Sequence, residues 1–164
     1  MALSSLFRER VLTREVWLPR PRAEVFPFFA DAANLNALTP TWLSFTIVTP
    51  RPIPMRAGAV IDYRLRIRGL PINWRTLITV WDPPFRFIDE QVKGPYLQWI
   101  HEHTFEEREQ GGVMGTLCRD VVKYRHMGGP IAQALMVEPD LTKVFAYRVE
   151  RLRELFGTPV PTNN

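Results

Sequence analysis

The stretch "AVIDYRLRIRG", residues 59–69, constrains the fold of this chain more than any other segment. Its residues sort into two sets that alternate without a slip. Ile61, Tyr63, Leu65 and Ile67 form one set, and Asp62, Arg64, Arg66 and Arg68 the other. A helix would scatter both sets around its axis, whereas an extended strand, with its period of two, gives one dry face and one wet face. A sheet built from such strands must have its dry face covered by another layer.

The segments around it follow the same rule. "LPINWRTLITVWDPP" (70–84) puts Ile72, Trp74, Thr76, Ile78 and Val80 on one face and predicts a hairpin with the preceding strand through Gly69–Pro71. "FRFIDEQVKGPYLQWIHEHTFEE" (85–107) predicts a second hairpin turning at "GPY", and "REQGGVMGTLCRDVVKYRH" (108–126) a last strand after Gly111–Gly112. Upstream, "RERVLTREVWLP" (8–19) alternates Val11, Thr13, Glu15 and Trp17 against Leu12, Arg14, Val16 and Leu18, and "WLSFTIVTP" (42–50) is a run of strand formers. Between them, "PRAEVFPFFADAANLNALTP" (21–40) predicts two short helices broken at "FADA". Pro21 suits an early helical position and Pro27 the first turn or so, while Asp31 caps the second helix.

The tail from Gly128 to Phe156 changes period. Leu141, Phe145, Val149, Leu152 and Phe156 fall on one helical stripe. Asp140 is the expected N-cap, Pro139 a kink or restart, Gly157 the C′ residue, and Pro159 lies beyond it. A helix from residue 140 to 156 would be about 25 Å long, enough to lie across a sheet. Strands and helices are thus segregated, which predicts an α+β domain: a curved antiparallel sheet of six to seven strands, its concave face closed by one long helix. The chain of 164 residues reads as one domain, 1–164, with a core over about 10–157. A cavity between sheet and helix is the natural place for a small molecule.

Charge and cysteine usage narrow the partners. The net charge of +4 is spread over separate arginines with no basic run, which argues against nucleic acid. No segment is apolar for long enough to span a bilayer, so stable membrane insertion is not expected. "MALSSLFRERV" has its arginine after the apolar residues, the wrong order for a secretory signal. A single cysteine, Cys118, excludes an internal disulfide and a multi-cysteine metal site, and a cytoplasmic location follows as the expectation.

The chemistry is concentrated in "QWIHEHTF" (98–105), where a strand puts Trp99, His101, His103 and Phe105 on one face. Across the "GPY" turn, Phe87, Asp89 and Gln91 share a face, and on the last strand so do Thr116, Cys118, Asp120, Val122 and Tyr124. If both faces are inward, Asp89, Gln91, His101, His103, Asp120 and Tyr124 converge, with Arg148 of the long helix pointing at them. Three arrangements are open: the lining of a polar pocket, a self-satisfied network, or a phase one residue off that leaves these groups in water. Tyr63, Trp74, Trp99 and Phe145 are the aromatics expected to face a cavity. Two histidines and a carboxylate imitate a facial triad, but this spacing also occurs without metal and His126 lies beyond the strand end. Neither a metal nor a cofactor is expected. His101 or His103 could serve as a general base oriented by Asp89 or Asp120. No GxSxG motif is present, and Cys118 is expected to pack as a small apolar side chain. "YRHMGGPIAQALMVEP" (124–139) is either a gate at the cavity mouth, worked by Met127, Leu135 and Met136, or an ordinary connection.

"LPRPRAEVFPFFADAANLNALTP", "KGPYLQWIHEHTF", "GTLCRDVVKYR" and the Tyr147–Arg148 pair together resemble the START-like or SRPBCC superfamily, within it the bacterial polyketide cyclase/dehydrase-like ligand-binding branch. The resemblance runs from Arg10 to Gly157 and implies the helix-grip fold. It implies binding or transport of a small hydrophobic ligand, such as a lipid, an isoprenoid or a polyketide-like aromatic, with His101, His103, Asp89 and Tyr124 meeting its polar head. The same fold hosts cyclases, dehydratases and isomerases, and also modules that work through a protein partner.

Overall fold

In the computed structural model, which describes residues 7–157, the alternating segments form one seven-stranded antiparallel sheet. Its strands are β1 (Arg10–Leu18), β2 (Thr46–Ile47), β3 (Val60–Ile67), β4 (Leu70–Asp82), β5 (Arg86–Lys93), β6 (Gln98–Gln110) and β7 (Val113–Arg125). They lie in the order β1-β7-β6-β5-β4-β3-β2, a meander whose first strand joins the far edge beside the last. Helices α1 (Arg22–Phe29) and α2 (Leu35–Leu38) carry the chain from one edge of the sheet to the other. Helices α3 (Gly129–Ala132) and α4 (Glu138–Phe156) are joined by a π turn at Gln133–Val137 into one helical run. The fold is the expected α+β helix grip.

The helix stripe does what its spacing predicts. Leu141, Phe145 and Leu152 are buried, the last against Val16, Leu18, Val25 and Phe26. One charged residue, Arg148, is buried on the same stripe. Its cost in lost hydration must be met by partners inside the fold.

Several local expectations need correction. The β3–β4 turn is Arg68–Gly69, both at positive φ, and not Gly69–Pro71. Such two-residue turns match the twist of the flanking strands. Pro71 is already in β4, opposite Arg66 and beyond the reach of β5, so its missing N–H breaks no ladder. The run at 42–50 yields only the two-residue edge strand β2, because Thr41–Leu43 forms a 3₁₀ turn and Ser44 takes φ 46°. A register shift between Ile78 and Val80 flips the phase of β4, so Trp81 rather than Val80 packs inward on Phe26 and Phe87. Pro27 lies in the interior of α1, not its first turn; it sits on the exposed side, where the carbonyl it cannot satisfy meets water.

Asp140 is not an N-cap either. The helix runs through it, and its carboxylate takes two hydrogen bonds from Arg68, Nε at 2.8 Å and Nη2 at 2.9 Å. The π turn just before Pro139 widens the spiral where that ring would otherwise clash with the preceding turn. Gly157 closes α4 in the right-handed region as the C-cap itself, and Pro159 lies outside the described residues.

One close approach fixes the β1–β7 seam. A Cβ on Gly115 would lie 2.4 Å from the Leu18 carbonyl oxygen and 2.6 Å from the Trp17 ring. Gly115→Ala is therefore expected to cost about 1–3 kcal/mol of stability through overpacking, read as a lower urea midpoint.

Candidate functional site

The concave face, α4 and the segment from Phe28 to Phe45 line a cavity of about 830 Å³ that is open on one side. Its walls are apolar, and Tyr63, Trp74, Trp99 and Phe145 are all among them. The four aromatics come from β3, β4, β6 and α4, so the site exists only once sheet and helix have met.

A charged cluster forms one wall. Asp89 on β5 pairs with His101 on β6, and His103 pairs with Asp120 on β7, which puts all four on the inner face. His103 sits between two carboxylates: its Nε2 is 2.8 Å from Asp89 Oδ2 and its Nδ1 is 2.8 Å from Asp120 Oδ1. His101 packs against it, ring centres 3.8 Å apart and planes tilted by 36°, and donates Nε2–H to Asp120 at 3.0 Å. Arg148 reaches down from the helix and donates Nε–H to Asp120 Oδ2 at 3.0 Å, its guanidinium resting over the Phe29 ring. His101, His103 and Arg148 are each buried. The cluster is thus both a satisfied network and part of the cavity lining, two arrangements that the sequence left as alternatives. The solvent-facing phase is excluded.

Charge settles unevenly within it. Burial works against a charge on His103, but the hydrogen bonds to Asp120 and Asp89 outweigh it and hold its pKa above the ordinary value. Burial pushes His101 the other way, and the charge on neighbouring His103 adds to that fall, so His101 is the neutral ring of the pair. Burial alone would raise Asp120, yet Arg148 and the two histidines hold its carboxyl well below the usual range. Asp89 is lowered in the same manner, with the histidines and Arg148 overcoming burial.

A second polar group stands beside Asp89. Tyr63 Oη and Thr76 Oγ1 are 2.8 Å apart, and Trp74 donates Nε1–H to Thr76 Oγ1 at 3.1 Å. In the sequence, Thr76 is only one residue of an alternating face. Its role as the acceptor for an indole depends on β3 and β4 being in register, which no local pattern reveals.

Two expected site residues are placed elsewhere. Gln91 spends its amide on the backbone of Tyr96, donating to its carbonyl at 2.7 Å and accepting from its N–H at 3.1 Å, and so braces the β5–β6 turn. Tyr124 shares the inner face but lies outside the cavity lining; its hydroxyl accepts from Gln133 Nε2 at 2.8 Å. His126 does not converge on the cluster. It is buried beside Gln133, with Nε2 2.7 Å from Gln133 Oε1. In the segment proposed as a gate, Met136 lines the cavity, whereas Met127, in the bend before α3, and Leu135, on the π turn, are exposed and outside its lining. Cys118 is buried, and burial together with Asp120 pushes its thiol up, away from nucleophilic character.

Asp89, His101 and His103 offer ligand atoms within 4.8 Å of one another. As a donor set they fit a metal poorly. Both nitrogens of His103 already face carboxylates at hydrogen-bond distance, and the Arg148 cation is bonded to the same network. A divalent ion would have to strip a proton from that ring and sit beside a guanidinium.

A family model for polyketide cyclase / dehydrase and lipid transport matches residues 18–153. The chain belongs to this family. Solved structures of like fold include protein CV1439 from Chromobacterium violaceum (TM-score 0.66, 14% identity, 91% of this chain and 99% of that one). Another is ginseng major latex-like protein 151 from Panax ginseng (TM-score 0.63, 9% identity, 90% and 97%). A third is the nucleoside-diphosphate sugar epimerase from Corynebacterium glutamicum, 27% identical with a TM-score of 0.61, where the match covers 87% of this chain but 28% of that one. No curated protein matches the chain. Among the described residues, no helix of this polyketide cyclase / dehydrase and lipid transport family member is long and apolar enough to cross a membrane.

Proposed function

We propose that the protein binds a small, mostly apolar molecule in the cavity between sheet and helix, and holds or carries it in a cytoplasmic setting. The observation that carries this reading is a cavity of about 830 Å³ walled by aromatics, with one buried polar wall made of Asp89, His101, His103 and Arg148. Such a volume suits a molecule of drug or lipid-fragment size, and apolar walls with a few convergent polar groups are the usual form of a small-molecule site. Flat rings at Tyr63, Trp74 and Trp99 favour an isoprenoid, acyl or polyketide-like aromatic body.

Native mass spectrometry of freshly purified protein, compared with the denatured sample, tests it. The expected result is an organic adduct lost on denaturation, or one formed after incubation with a hydrophobic extract. A bare mass under both conditions would overturn the reading. His101→Gln with His103→Gln is expected to weaken retention of the adduct only moderately, since the apolar walls remain.

One observation favours a second reading, catalysis of a cyclase, dehydratase or isomerase type. His101 is the neutral ring, and its Nε2–H is fixed on Asp120, which leaves the Nδ1 lone pair free to take a proton from a bound carbon acid. In this reading His101→Gln would abolish deuterium uptake at an enolisable carbon of a bound ketone while leaving the adduct in place. A protein-partner role predicts instead a stable complex in a pull-down that pocket substitutions do not disturb.

A further inference from the structure

The end of the sheet where β7 gives way to α3 carries an apolar surface that the cavity does not use. From Met127 to Val137 the chain has no charged residue. Ile131 is 75% exposed, Leu135 70% and Met127 69%, and Met136 is exposed beside them. The segment is held in this orientation. Gln133, midway between Ile131 and Leu135, is buried, with Oε1 2.7 Å from His126 Nε2 and Nε2 2.8 Å from the Tyr124 hydroxyl. Residues two places before and after a helical residue lie on the opposite side of the helix. Anchoring Gln133 inward therefore keeps Ile131 and Leu135 outward.

The β5–β6 turn extends the surface. Leu97 donates its N–H to the Arg125 carbonyl at 2.9 Å, two residues before Met127, and both Leu97 and Val92 are exposed. Six large apolar side chains from two segments thus meet water at one end of the fold. They also adjoin the cavity, which Met136 and Tyr96, the neighbour of Leu97, help to line.

A contiguous apolar patch of this kind marks a docking surface. The charges around it indicate for what. Exposed Arg8, Lys93, Lys123 and Arg125 stand at this end, against exposed Glu9 and Glu138. Glu9 lies 3.9 Å from Arg125, whereas Lys93 and Lys123 make no ion pair among the described residues. A second copy of the chain would bring a positive rim against a positive rim. An anionic lipid surface suits both parts, since its phosphates meet the cations and its acyl boundary takes the projecting side chains.

We infer that this end of the protein docks reversibly on an anionic lipid membrane, with Ile131 and Leu135 entering the acyl boundary and Lys93 and Lys123 among the head groups. A few side chains and a modest positive rim give an attachment that salt weakens. Docked this way, the cavity edge at Met136 and Tyr96 comes up against lipid, the phase in which an apolar ligand dissolves. The inference goes beyond the binding reading and does not depend on it, because vesicles alone test it.

The test is vesicle flotation at about 0.1 M salt, with phosphatidylcholine vesicles against equimolar phosphatidylcholine and phosphatidylglycerol. The native protein is expected to float with the anionic vesicles at least about fivefold more than with the neutral ones, and to lose most of that excess at about 1 M salt. Ile131→Ser with Leu135→Ser is expected to lower binding at least about tenfold. Its urea midpoint should stay near the native one, because both positions face water. Lys93→Glu with Lys123→Glu is expected to bring binding to the anionic vesicles down to the neutral level. Native protein that floats with neither kind of vesicle, or equally with both, overturns the inference with no variant needed. Full binding by the serine variant overturns it as well, since lipid would then meet another face. The lysine variant leaves the apolar residues in place, and full binding by it is equally fatal even where the serine variant fails to fold. A dimer in sedimentation analysis that the serine variant dissolves also overturns it, because a second copy would then hold the patch.

Discussion

Asp120→Ala is expected to lower the stability of the protein by about 3–5 kcal/mol, a large part of what a single domain has. The carboxylate is mostly buried and serves three partners at once: Arg148 of α4, and His101 and His103 of β6. Removing it strands the Arg148 cation between helix and sheet, where water cannot take over its hydration. The loss should appear as a fall in the urea midpoint with little change in slope. Adding Arg148→Met to the same variant is expected to recover part of the loss, because the double change removes the stranded charge that the single change creates. A single-variant loss under about 1 kcal/mol would mean that Arg148 has found another buried partner, and the ion pair would then not be what ties helix to sheet.

Acid should act on the same groups. Asp89 and Asp120 are both held below their ordinary values in the folded protein. Below about pH 4 the unfolded chain therefore binds protons that the folded chain does not. Their contribution is present above that pH and is lost as the pH falls, with a slope approaching roughly 1.4 kcal/mol per pH unit for each carboxylate. The histidines act in opposite senses. His103, raised, contributes stability that is full below its unfolded value and lost as the pH climbs through its folded one. His101, lowered, makes the fold weaken as the pH drops below its unfolded value. The two act on opposite sides of the ordinary histidine value, so the profile should pass through a maximum there, with the carboxylate loss added on the acid side. Urea midpoints from pH 3 to pH 8 check this, with Asp120→Asn expected to flatten the acid limb. A main loss near pH 6.5, the ordinary histidine value, would show instead that His101 dominates.

The elements that were legible in the chain share one property: a local periodicity with a burial consequence. Ile61, Tyr63 and Leu65 alternate because one face of β3 meets the interior, and Leu141, Phe145 and Leu152 repeat at helical spacing because one stripe of α4 does. Where a single residue altered the backbone locally, the pattern misled. Ser44 in the left-handed region cut the expected strand at 42–50 to two residues, and a register shift at Thr79 exchanged Trp81 for Val80 on the inner face. Neither leaves a trace in the alternation.

The candidate site divides in the same way. Sequence by itself determined which residue types share a strand face, and hence that His101 and His103, Asp89, and Asp120 could meet only if three strands took inward phases. It also determined that a long helix would cover the sheet and bring Arg148 within reach of them, while the burial of Arg148 among the apolar stripe is known only from the structure. Register decided the rest. The pairings of Asp89 with His101 and of His103 with Asp120 make one cluster out of four separated side chains. Gln91, equally eligible by phase, lies nearer the turn and is drawn to the Tyr96 backbone, while Tyr124 at the far end of β7 is claimed by Gln133. Side-chain period depends on the two or four nearest residues and is written locally, whereas hydrogen-bond partners depend on which strands lie side by side, and that is fixed only when the whole sheet closes on its helix.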